Sequence, residues 1–182
     1  PPVGFTVGNL SEVPNTCGGY WGWNTGDAYY EIARLDDEND SESMHALLLK
    51  TDYATARQTV LCNVPGCTHD SDACPAYIQG SATCYADGSE VYLYICLYKE
   101  AEHTTVFRLE KINADHTQRT CLADDLPFGW VQPIGMAADD THLYFLTTDN
   151  YSNSTMSAML LAVSKATGDM QTLYQLDGLE NG

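Results

Sequence analysis

Ser81-Ala82-Thr83-Cys84-Tyr85-Ala86-Asp87-Gly88-Ser89-Glu90-Val91-Tyr92-Leu93 reads as one hairpin: a short strand, the turn Asp87-Gly88-Ser89, then an aromatic, β-branched strand. The same order recurs twice. Asn24-Thr25-Gly26-Asp27 joins residues 18–23 to Ala28-Tyr29-Tyr30, and Asp139-Asp140-Thr141 joins residues 134–138 to Leu143-Tyr144-Phe145. A third strand follows in each unit (46–50, 106–111, 159–163). It ends in Asp52-Tyr53-Ala54-Thr55, Asn113-Ala114-Asp115-His116 or Lys165-Ala166-Thr167-Gly168. A fourth strand (58–62, 118–122, 170–176) completes the unit.

These elements predict an all-β chain, a single domain over 1–182, built from three repeated four-stranded antiparallel units of β-propeller type. The units cover about residues 18–62, 80–122 and 133–176, with a connection over 62–78. Tyr92 to Tyr144 and Leu109 to Leu161 are both 52 residues apart, which implies a unit copied without a length change. Tyr29 to Tyr92 spans 63 residues and Leu49 to Leu109 spans 60, which assigns three extra residues to the second hairpin of the first unit, around the acidic run 36–43. A β-sandwich or an open meander also gives short strands at regular spacing. Closed propellers take about four to eight blades. Three units therefore imply a partial propeller, with further blades beyond this chain or edge-to-edge self-association covering the exposed edges.

Asp and Glu total 25 against 8 Lys and Arg, a formal charge of −17. A field of that sign repels phosphate backbones and anionic headgroups, so nucleic acid is not an expected partner. No apolar run reaches the roughly 20 residues of a membrane span, so this chain is expected not to be membrane-inserted. A start at Pro1 reads as processed or trimmed. Seven cysteines among abundant Tyr, Asn, Thr and Ser fit an extracytoplasmic protein better than a cytosolic one.

Four metal-competent residues crowd the connection: Cys62, Cys67, His69 and Cys74. Three thiolates and an imidazole make a tetrahedral set suited to zinc. The spacing is wider than that of the usual Cys-x2-4-Cys pairs, so the expectation is a disulfide among these cysteines with His69 on the surface and no cofactor, zinc being the alternative. Cys84 and Cys96 flank the Asp87-Gly88 turn, but residue 84 falls opposite about 93, so that pair is out of register and reads as buried small hydrophobes.

The order Leu61-Cys62-x-x-Pro65-x-Cys67-x-His69, then Cys74-x-Ala76-Tyr77, resembles the uncharacterised propeller-like lipoproteins of Gram-positive gut bacteria. Those proteins carry an Asp-x-x-Thr-Gly turn upstream, where this chain departs with Ala56. The resemblance covers about residues 47–78. It implies a bacterial cell-surface protein with a propeller, anchored through a lipidated N-terminus not present in this chain, and it implies no activity.

Tyr20, Trp21 and Trp23 offer flat faces for stacking a ligand such as a sugar ring, or else pack between blades. The run Asp36-Asp37-Glu38-Asn39-Asp40 lacks the spaced ligands and glycine of a calcium loop and reads as a solvated tip. No Gly-x-Ser-x-Gly, phosphate-binding glycine loop or His-Glu-x-x-His is present. The expected function is a non-catalytic binding or scaffolding module with an unknown glycan or protein ligand. The alternative is the propeller portion of a glycan- or peptide-acting hydrolase, whose paired carboxylates leave no local pattern.

Overall fold

The computed structural model of the chain describes residues 4, 6, 8, 11–12, 22–35, 45–99, 102–124, 126, 135–149 and 155–180. Turn chemistry and alternating burial organise these into antiparallel β-structure. After the two-residue β1 (Ser11–Glu12), a first meander runs β2 (Gly22–Asn24), β3 (Ala28–Leu35), β4 (His45–Asp52) and β5 (Arg57–Val60), with β6 (Tyr77–Gln79) also paired to β4. The second is β7 (Ser81–Asp87), β8 (Glu90–Lys99), β9 (Thr104–Ile112) and β10 (Arg119–Ala123). The third is β11 (Gly135–Ala138), β12 (His142–Asp149), β13 (Thr155–Ser164) and β14 (Met170–Glu180), with β1 added along β11. Each of the three sheets thus contains a four-stranded antiparallel meander, and none closes on itself. Among the described residues no helix is long and apolar enough to cross a membrane.

The chain divides into two compact units, Asn15–Asp125 with the first two sheets, and Pro1–Pro14 with Leu126–Gly182 carrying the third. In the first unit, β2 and β3 lie against β7. Along β7 the small side chains of Ala82, Cys84 and Ala86 are buried at every second position, the period of a strand with one covered face. Trp23 is 8% exposed and meets Tyr85 edge-on, with ring centroids 5.1 Å apart. Cys84 pairs with Leu93 across the β7–β8 hairpin, as the turn predicts, and burial pushes its thiol up to about 12.

Register corrects the repeat spacing. The buried tyrosines that follow equivalent turns are Tyr30, Tyr92 and Tyr144, with Lys50 and Lys111 each 5.6 Å above the first two rings. Tyr29 and Leu49 are one residue out, on the less buried face of the first sheet, where Leu48 is the core residue. A one-residue slip exchanges the faces of a strand. The β3–β4 hairpin is accordingly one residue longer than β8–β9 rather than three. Leu109 pairs with Tyr94 but Leu161 with Phe145, so the shared spacing of 52 does not carry a shared register.

In the second unit the turn between β11 and β12 is built on one carboxylate. Asp139 Oδ1 accepts from the backbone N–H of Thr141 and His142, both at 2.8 Å, and Oδ2 accepts from the Tyr144 hydroxyl at 2.7 Å and the Gly8 N–H at 3.0 Å. Burial alone would raise this carboxyl's pKa. The Tyr144 hydroxyl and the Thr141, His142 and Gly8 amides outweigh it and hold the group far below the usual carboxylate range. A Cβ on Gly8 would lie 2.9 Å from Oδ2, so the close approach of the N-terminal segment requires glycine there.

Candidate metal centre

The connection that carries the cysteines is an excursion out of one strand position. β5 lies along Leu49–Asp52 of β4, and β6 lies along His45–Leu47 on the same side. Between them Leu48 holds both ends of the excursion. Its N–H donates to the Ala76 carbonyl and its carbonyl accepts from the Leu61 N–H, each at 2.9 Å. Residues 61–76 therefore leave and rejoin the sheet at one residue, and the closure brings distant ligands together.

Inside the excursion each ligand sits on a turn. The Cys62 N–H reaches back to the Val60 carbonyl at 2.8 Å. Val64-Pro65-Gly66-Cys67 closes with the Cys67 N–H on the Val64 carbonyl at 3.2 Å, and Gly66 at φ +73° supplies the positive φ that Pro-Gly turns of this class need at their third residue. His69 also adopts a positive φ, 61°, uncommon for a side-chain-bearing residue and a feature of constrained sites. The Cys74 N–H bonds the Ser71 carbonyl at 2.9 Å and the Tyr77 N–H bonds the Cys74 carbonyl at 3.1 Å, leaving Pro75 where its fixed φ fits.

The structure brings all four predicted ligands together: the sulfurs of Cys62, Cys67 and Cys74 and a ring nitrogen of His69 lie within 4.8 Å of one another. His69 Nδ1 is 3.2 Å from Cys74 Sγ. Tetrahedral zinc with bonds of about 2.3 Å to sulfur needs ligand atoms roughly 3.8 Å apart, so the widest pairs need close by no more than about 1 Å while the His69–Cys74 pair opens slightly. The donor chemistry fits zinc, and the set could hold such an ion. The six described cysteines are all free thiols, so the disulfide expected from the sequence is not what this structure contains; Cys17 lies outside the described residues.

The thiols are electrostatically unequal. The His69 backbone N–H, joined by hydrogen bonds from Cys74 and Cys62, draws the Cys67 thiol below its ordinary value, while burial pushes Cys74 up to about 12. Of the two, Cys67 gives up its proton more readily, and Cys74 holds its own more tightly until a metal competes for the sulfur.

The excursion is clamped to the second sheet. Asn63 donates from its backbone to the His116 carbonyl at 3.0 Å and from its amide to the Asp115 carbonyl at 2.8 Å. Arg119, on β10, donates to the carbonyls of Tyr77 and Pro75, and its Nε lies 2.9 Å from Glu110 Oε2. Sequence reasoning missed Arg119, Glu110 and Asn63 because they carry no motif; their proximity exists only once β9 and β10 pair.

Of the proposed stacking residues, Trp23 is buried against Tyr85, whereas Tyr20 and Trp21 lie outside the described residues, as does the acidic run 36–43. Fold and site define an all-β protein of repeated antiparallel sheets bearing a Cys3His set able to hold a metal ion such as zinc. No protein family, curated protein or solved structure matches the chain.

Proposed function

We propose that this chain is a non-catalytic binding or scaffolding module of an extracytoplasmic, cell-surface lipoprotein, with propeller-type blades, in which Cys62, Cys67, His69 and Cys74 hold a structural zinc ion. The observation that carries this reading is the donor count. Four protein ligands fill a tetrahedral shell and leave no position for a reactive water, the arrangement of structural rather than catalytic zinc. Zinc bound there would fix the excursion that Asn63 and Arg119 tie to the next sheet, and so join two repeats. The hydrolase alternative wants two carboxylates free to act on a bond. At Glu110 the neighbouring charges are instead Arg119 and Arg108, at 2.9 and 3.8 Å.

Intact mass in native and denaturing conditions, combined with thiol alkylation, tests the reading. The expected result is one zinc per chain and three thiols that alkylate only after chelation. A metal-free chain lighter by two protons, with two of these cysteines refractory to alkylation, would replace the metal staple with a disulfide.

A further inference from the structure

Beside the metal loop lies an open cleft of about 530 Å³, within the range of small-molecule sites. Ile95 and Leu97 of β8 give it an apolar side, Arg108 and Glu110 of β9 a charged one, and Asp72 and Pro75 of the loop the opposite wall. Gln79 and Gln118 line it too, and neither side chain hydrogen-bonds another described residue. Four of the chain's eight basic residues are arginines, and two of those four are in this cleft.

The charges within it are already matched. Arg108 grips Asp124 with Nε at 2.8 Å and Nη2 at 3.2 Å, and Arg119 faces Glu110. An ionic ligand would have to break one of these pairs and leave its partner uncompensated, which is costly for side chains as covered as Glu110 and Arg119, at 10% and 14% exposure. Hydrogen-bonding capacity, by contrast, is unspent. Glu110 Oε1 is 3.8 Å from Arg108 Nη1, beyond hydrogen-bond reach, and so is the acceptor left for a ligand, whereas Oε2 is buried against Arg119. A carboxylate acceptor, a guanidinium donor and two amides that donate and accept surround an apolar strip. That set complements a neutral molecule with several hydroxyl groups on one side and C–H groups on the other.

We infer that this cleft binds a neutral saccharide, its hydroxyls taken by Gln79, Gln118, Arg108 and Glu110 Oε1 and its apolar face laid on Leu97. The inference deepens the binding-module reading by assigning the ligand class and its seat; it does not require the metal itself.

The test is a titration of the isotope-labelled full chain with four neutral disaccharides, cellobiose, maltose, lactose and chitobiose, followed through backbone amide shifts. Galacturonate and diglycine serve as charged comparators. Saturable shifts centred on residues 117–121 and Gln79 with at least one disaccharide are expected, weakened at least fivefold in the rim variant Q79A/Q118A, which removes no side-chain hydrogen bond between described residues. No saturable binding, binding unaffected by Q79A/Q118A, or tighter binding of either charged comparator overturns the inference. Cleavage of a bound disaccharide, read as new reducing ends, would overturn the non-catalytic reading while the saccharide assignment stands. A chain that carries no metal as isolated and still shows the shifts would overturn the zinc staple and leave the saccharide assignment standing.

Discussion

Ala56 occupies the last position of the four-residue turn between β4 and β5 with φ 51°, where the β13–β14 turn has Gly168 at φ 76°. A side chain in left-handed backbone costs about 1–2 kcal/mol, part of which glycine returns through its looser unfolded chain. Ala56→Gly is therefore expected to stabilise the first unit by about 0.5–1 kcal/mol, measurable as a higher denaturant midpoint with unchanged slope. The departure from Asp-x-x-Thr-Gly was legible in the sequence, but its strain was not, since only the backbone angle shows that the glycine conformation is kept. Asp139 gives a prediction of opposite sign. Its pKa is depressed in the fold, so its contribution is complete above the ordinary carboxyl value of 3.8 and is lost as pH falls from there toward the folded value. Thermal melts of the wild type should thus drop steeply below about pH 4. Asp139→Ala, which orphans three backbone amides and the Tyr144 hydroxyl, should cost roughly 2–4 kcal/mol at neutral pH and flatten that acid limb.

Elements were legible where turns and alternation recur, and hidden where they do not. All twelve strands of the three meanders follow from turn residues and aromatic, β-branched runs, yet β1 and β6, of two and three residues, are too short to carry a period. The four ligands stood out by residue type. Their wide spacing argued against zinc only until the shared pin at Leu48 showed the excursion closing on itself. Arg119 is where that excursion depends on a neighbouring element. Arg119→Ala leaves Glu110 covered and without its nearest countercharge, and should destabilise the first unit by roughly 3–5 kcal/mol. Replacing both partners, as Arg119→Met with Glu110→Leu, should restore most of the loss, and a double-mutant cycle in urea measures the coupling.

Across the whole molecule a charge of −17 is carried with few compensating cations, so self-repulsion works against compactness. Raising sodium chloride from about 10 to 150 mM shortens the screening length to about 8 Å and is expected to raise the melting temperature by about 2–4 °C, a gain near 1 kcal/mol for a chain of this size. Sodium chloride series on wild type and Ala56→Gly should shift in parallel, since that substitution alters no charge. The pairing of β1 with β11, and the Gly8 bond to a carboxylate 131 residues away, also fix an order of events during biosynthesis. A seat built by the third sheet does not exist while the ribosome is still translating the first two. Gly8 and β1 must therefore wait for residues translated long after them, and contacts of such long sequence separation are the slow ones to form. β1 is made well before its partner, and until it docks the edge of β11 that it covers is open to any other strand that reaches it.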